Sequence, residues 1–305
     1  MRKLLLRVGT AAFITLLGAA PVIGQTRPLA PMPSTGLAVS PFMEGWYQNP
    51  DGSRTISFGY LNRNQNDIIY LPIGDRNLLE PAEFSGMQPT VFMPGRHRGV
   101  FTVTVPAGFT EDLWWSILNE DGQVHKVPGR TSSTAYELDR NPRPTGTVPP
   151  RIGFSENGPW GVDPAGVMAD QTLSARVGER VVLEVWVEEI SERDPTDPRS
   201  EAAKSVRVVW FPHQAPVNGK IEFAKHESTA EAPPPPDDEE GRPAPRPGPN
   251  EVMIQSGKGV ARVYATFTAP GEYIVRAQAD NWRAADSSSG DQCCWSNSYL
   301  RVNVR

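Results

Sequence analysis

"GVARVYATFTAPGEYIVRAQAD", residues 259–280, places Ala261, Val263, Ala265 and Phe267 at every second position, turns at Pro270–Gly271, and resumes with Tyr273, Val275, Ala277 and Ala279. A period of two puts all eight on one side of a pleated hairpin, whereas a helix would scatter them around its axis. The same pattern extends upstream. "QTLSARVGERVVLEVWVEE" (171–189) reads as two strands about Gly178, with Val181, Leu183, Val185 and Val187 on one face, and "VRVVWF" (206–211), "KIEFA" (220–224) and "SYLRVNVR" (298–305) add further strands. Short strands at this spacing predict an antiparallel β-sandwich over residues 165–305.

The first half has the same grammar. "FMEGWY" (42–47) meets the turn "NPDG", "TISFGYLN" (55–62) alternates Ile56, Phe58 and Tyr60 against polar or small neighbours, and "GVFTVTV" (99–105) sets Phe101, Val103 and Val105 opposite Thr102 and Thr104. "LWWSIL" (113–118), the turn "NEDG" and "QVHKV" (123–127) predict a closing hairpin. The expected fold class is therefore all-β, with two antiparallel, immunoglobulin-like sandwiches in tandem. An extended leader occupies 25–41, the first sandwich 42–130, and a Pro- and Gly-rich linker 131–164. Residues 227–250 hold eight prolines and six acidic residues and no large apolar side chain. Such a segment cannot offset its ordering entropy, so it reads as a disordered insertion in the second sandwich.

At the amino terminus, Arg2, Lys3 and Arg7 precede an apolar run from Val8 to Ala20, and small residues follow up to Gly24. That is the pattern of a secretory signal peptide over 1–24; the run is shorter than the roughly 20 residues needed to span a bilayer. A periplasmic or extracellular protein with no transmembrane segment in the mature chain is expected. Without those residues the chain keeps 27 basic against 35 acidic side chains, a net charge of −8. Nucleic acid is a poor partner for such a chain, since its affinity rests on cationic contacts to phosphate.

"WFPHQAPVNGKIEF" followed by "ATFTAPGEYIVRAQAD" resembles the later strands of immunoglobulin-like domains of the polycystic-kidney-disease type. The resemblance implies a core role for Trp210 and a corner-tyrosine role for Tyr273, although the "DFGDG"-like stretch of that family is absent. The whole chain is also similar to uncharacterised secreted bacterial proteins with "GWY.N.DG", "NRN" and "QCCW" features, which implies no particular activity.

Signs of catalysis are few. His97, His125, His213 and His226 stand in no metal-ligand spacing, and the chain has no G-x-S-x-G elbow, phosphate loop or dinucleotide fingerprint. In "GRHRG" (95–99), Arg96 and Arg98 disfavour a charged His97; the stretch reads as a cationic loop or an anion-binding turn. No cofactor is expected. A non-catalytic binding or structural role fits best, with a metal-binding protein, a thiol-redox protein, or a hydrolase assembled from distant loops as alternatives.

The expected contact surface is the loop "DNWRAADSSSGDQCCWSNS" (280–298), which mixes adaptable hydrogen-bonding residues with rigid aromatics. Trp282 and Trp295 are candidates for stacking on a sugar ring or a protein side chain, Arg283 for pairing with an anion, and Asn297 for hydrogen bonding; the ligand would be a protein or a carbohydrate. Folding of both Trp residues back over the sandwich end is the other reading, and a Ca2+ site from Asp280, Asp286 and Asp291 a third. Cys293 and Cys294, the chain's two cysteines, are adjacent. Neighbouring Cα atoms about 3.8 Å apart are closer than most disulfides accept, so a vicinal bridge is strained and rigid; packed thiols, a redox pair, a soft-metal site and interchain pairing remain the alternatives.

Overall fold

The computed structural model describes residues 34–198, 205–229, 247–287 and 294–305, and residues 34–305 belong to one compact unit. The expected signal peptide, the start of the leader and the centre of the Pro-rich insertion lie outside the described residues. The described fold is all-β, and no helix in it is long and apolar enough to cross a membrane.

The first sandwich comprises β1 (Val39–Gln48), β2 (Arg54–Asn62), β3 (Ile69–Tyr70), β4 (Asn77–Glu80), β5 (Val91–Phe92), β6 (Gly95–Val105), β7 (Leu113–Leu118) and β8 (Val124–Gly129). Its sheets β1-β2-β6 and β4-β7-β8, with the short pair β3-β5, close around Phe58, Phe92, Phe101 and Trp115. The alternating residues Ile56, Phe58, Phe101 and Val103 face that core, as their spacing requires. The Trp115 indole N–H is satisfied inside it by Asn77 Oδ1 at 2.9 Å.

The second sandwich contains β9 (Arg151–Gly153), β10 (Trp160–Gly161), β11 (Val167–Met168), β12 (Leu173–Ala175), β13 (Arg180–Glu188), β14 (Val206–Gln214), β15 (Ile221–Lys225), β16 (Glu251–Ile254), β17 (Lys258–Phe267), β18 (Gly271–Asp280) and β19 (Trp295–Val304). Sheet β10-β9-β13-β17-β15 packs on sheet β11-β19-β18-β14-β16, with β12 also paired to β19. The eight alternating residues that define the 259–280 pattern are all buried between them. Trp210 lies in the same core, and the Tyr273 hydroxyl donates to Ala269 O at 2.8 Å, closing the corner before β18.

Two boundaries differ from the expectation. Strands β9 and β10 lie within 131–164 and pair with each other, and β9 pairs with β13, so both belong to the second sandwich. They are three and two residues long, too short for a period of two to register among prolines and glycines. At the margins of the insertion, Thr229 Oγ1 donates to Arg262 O at 3.1 Å and Asn250 Nδ2 to Trp210 O at 2.8 Å, so the turns at 227–229 and 249–250 are tied back to the second sandwich.

The second sandwich presents the outer face of β18 and β19 to the first. Thr90 N donates to His213 O at 2.9 Å, Gln214 Nε2 to Gly86 O and Gln88 O at 2.8 Å each, and the Tyr299 hydroxyl to Val100 O at 2.9 Å. Ile274, Arg276, Gln278 and Asp280 alternate with the core residues of β18, yet all four are buried. The contact is thus largely polar, and it forms the wall of the groove described next.

Candidate functional site: a cationic groove between the sandwiches

Five strands and one loop converge on a groove of about 440 Å³. Strand β6 supplies Arg96, His97 and Arg98; β14 supplies Arg207, Val209 and Phe211; β16 supplies Glu251; β18 supplies Arg276 and Gln278; Trp282 and Trp295 flank the loop end. The alternation of β18 places Arg276 here, because its neighbours Val275 and Ala277 occupy the core side.

Charge in the groove is unevenly compensated. Glu44, with a side chain only 6% exposed, pairs with Arg96 at 2.5 Å and with Arg98 at 3.7 Å. Burial raises the Glu44 carboxyl above its ordinary range, against the two guanidinium groups that lower it. Arg207 Nε donates to Asp280 at 2.9 Å and NH1 lies 3.7 Å from Glu251. Asp280 is buried enough that its pKa rises to about 6 despite Arg207. Arg276 is different: at 3% exposure it is interior, its NH1 donates to Asn297 Oδ1 at 3.0 Å, and its Nε–H is buried with no acceptor among the described residues. Its guanidinium lies 4.5 Å from the centre of the Phe211 ring, a cation–π contact, but no carboxylate among the described residues pairs with it.

This buried charge perturbs its surroundings. His213 is 1% exposed, its Nε2–H donates to Met87 O at 2.7 Å, and burial together with Arg276 lowers its pKa to about 3. His97, half-buried against Phe211, is lowered by burial and Arg276 to about 4. Both rings are neutral at physiological pH.

The residues expected from the 280–298 loop divide into three groups. Trp282 is half-buried, lies edge-on to Trp295, and carries the Arg207 guanidinium 4.5 Å from its ring centre. Arg283 is exposed. Trp295, Asn297 and Cys294 are all 0% exposed. Asn297 Nδ2 donates to Gly99 O at 2.7 Å and Pro164 O at 2.9 Å, so it joins the sandwiches and presents no free group outward. Gly99, at φ +52°, lies so near Trp295 that a Cβ there would stand 2.9 Å from the indole. The indole N–H groups of Trp282 and Trp295 are buried without an acceptor among the described residues. Direct stacking of Trp295 on a ligand is incompatible with its burial; it supports the groove wall.

Cys294 is disulfide-bonded, while Cys293 and Asp291 lie outside the described residues. The other two candidate Ca2+ ligands face different partners: Asp286 accepts from Thr145 N at 2.7 Å and Thr147 Oγ1 at 2.5 Å, and Asp280 accepts from Arg207. No group of three or more metal-ligating side chains occurs among the described residues.

Sequence reasoning passed over Arg207, Phe211 and Arg276. "GRHRG" was the signal on the page, but its partner surface comes from strands more than a hundred residues away. Neither a family model nor a curated protein matches the chain. Among solved structures, the chain is similar to the D00-D0 domain of intimin, with 11% identity and a TM-score of 0.24 over 87% of this chain and 99% of that one. It is also similar to PapD-like domain 7 of human CEP192, with 11% identity and a TM-score of 0.24 over 57% and 94%. The sialic acid binding region of a Streptococcus sanguinis SK1 adhesin bound to 3'sLn gives 10% identity and a TM-score of 0.19 over 88% and 78%. At these values none of the likenesses carries an argument about this chain.

Proposed function

We propose that the chain is an exported, non-catalytic binding or structural-interaction protein whose contact surface is the groove between its sandwiches, with Trp282 in its lining and the exposed Arg283 next to it in the chain. The observation that carries this reading is the convergence of Arg96, Arg98, Arg207 and Arg276 with Phe211 and Trp282 on one 440 Å³ concavity. Arginine and tryptophan are the residues that most often dominate binding energy, because each offers large area with directed donors. The two neutral histidines donate to backbone carbonyls, His97 to Pro94 O within the first sandwich and His213 to Met87 O across to it from the second.

A groove variant tests the reading. Trp282→Ala combined with Arg98→Ala should retain the wild-type melting temperature within about 2 °C, because Trp282 is half-buried and Arg98 exposed. On arrays of glycans and peptides its retained signal should fall at least about tenfold, the equivalent of roughly 1.4 kcal/mol. A variant that binds like the wild type, or a bound compound recovered chemically altered, overturns the proposal.

The bridge that holds Cys294 is proposed to be the vicinal one to Cys293. Intact mass of the unreduced protein should then be about 2 Da below that of the reduced protein, with no alkylation before reduction. Cys293→Ser with Cys294→Ser should lower stability by only about 1–2 kcal/mol, since a two-residue bridge closes almost no chain and the loss is that of one buried sulfur. Disulfide-linked dimers on a non-reducing gel would instead establish interchain pairing.

A further inference from the structure

Resting on the groove as the binding surface, we infer that its ligand carries an oxyanion, a carboxylate or a sulfate, and that Arg276 is the group that recognises it. The remaining charges of the groove pair internally: Glu44 with Arg96 and Arg98, and Asp280 and Glu251 with Arg207. Arg276 alone among these four arginines has no carboxylate partner among the described residues, although it is 3% exposed. An uncompensated buried charge is strongly destabilising, and proteins seldom retain one without a counter-charge. Phe211 and Asn297 orient the guanidinium but supply only a quadrupole and a neutral acceptor.

The other donors of the groove match the same chemistry. Trp282, half-buried at the groove, brings an indole N–H without an acceptor among the described residues, and an indole nitrogen donates and never accepts. Arg98 stands at the rim, its side chain 43% exposed and its ion pair with Glu44 a long one at 3.7 Å. Guanidinium groups bind carboxylate and sulfate oxygens through paired, charge-assisted N–H bonds, stronger than neutral ones. A neutral sugar or an apolar peptide would leave the Arg276 charge as it is. The second large depression, about 600 Å³ between Phe154, Met168, Leu173 and Leu300, brings Glu184 and Asp170 and no arginine or lysine, so it lacks this chemistry.

The test is the thermal midpoint of the full chain with sodium glucuronate, sodium sulfate or glucose, at ionic strength held constant with sodium chloride. Glucuronate or sulfate at about ten times its dissociation constant should raise the midpoint by about 2–4 °C, and glucose should not. The larger of the two anionic shifts assigns carboxylate or sulfate. Arg276→Met should fold, since an apolar side chain of similar length replaces an uncompensated charge, and it should lose the anion-dependent shift. If it does not fold, Arg98→Gln with Trp282→Phe, which removes one positive charge and the indole donor, should reduce the shift by at least half. Equal shifts with glucose, anion shifts that survive in these variants, or no shift with either anion overturn the inference. A glucose shift abolished by Trp282→Phe would do so while leaving the groove as a binding surface, whereas shifts indifferent to every groove variant would remove both.

Discussion

Trp295→Ala is expected to lower the unfolding free energy by about 3–5 kcal/mol, the usual loss for emptying the volume of a fully buried aromatic. The indole is 0% exposed, lies against the backbone at Gly99 and meets Trp282 edge-on, so its removal opens a void where the two sandwiches meet. Chemical denaturation checks this, and a lower midpoint with an unchanged slope would identify a pure stability loss. Binding per folded molecule should change far less than for Trp282→Ala. The opposite outcome, a stable Trp295→Ala protein that no longer binds, would place Trp295 in direct contact with the ligand. Gly99→Ala is expected to act in the same direction, because the residue sits at φ +52° and its new Cβ would press on the indole.

Acid should destabilise the protein through His213. Its folded pKa is lowered to about 3 by burial and Arg276, while in the unfolded chain it takes up a proton near 6.5. Below that value the unfolded state binds more protons than the folded one, so stability is full above about pH 6.5 and is lost as the pH falls. Between about pH 6.5 and 4.5 this amounts to roughly 2–3 kcal/mol for His213, at about 1.4 kcal/mol per pH unit. His97, lowered to about 4, adds a loss of the same sign. Asp280 opposes them: with a folded pKa raised to about 6 it binds more protons folded than unfolded, and its contribution improves as the pH falls through 6. His213→Gln, which keeps a donor for Met87 O, should therefore flatten the stability–pH curve below pH 6.5. Asp280→Asn should steepen it. Denaturant midpoints measured across this range decide both, and a His213→Gln curve parallel to the wild type would show that the ring titrates normally in the folded state.

Much of the architecture was legible in the strands themselves. Ala261, Val263, Ala265 and Phe267 face the same core as Tyr273, Val275, Ala277 and Ala279 because side chains alternate in any pleated hairpin, whatever surrounds it. Trp282 was legible as part of a loop with binding composition. Its partners were not, since Arg98, Arg207 and Arg276 come from three strands that only folding brings together. Strand β9 escaped notice because three residues carry too little periodicity, and Trp295 and Asn297 looked available because loop composition says nothing about burial.

The sequence by itself determined the all-β class and which face of each long strand is apolar, because a two-residue period is a local property of the chain. The tertiary structure alone decided what becomes of the opposite face. On β18 that face carries Ile274, Arg276, Gln278 and Asp280, a mixture that alternation assigns to solvent. The first sandwich covers it, and a polar outer face becomes a buried one that holds a guanidinium without a counter-charge among the described residues. That outcome depends on which two surfaces meet, and the contacts responsible, Asn297 to Gly99 and Tyr299 to Val100, join residues nearly two hundred positions apart.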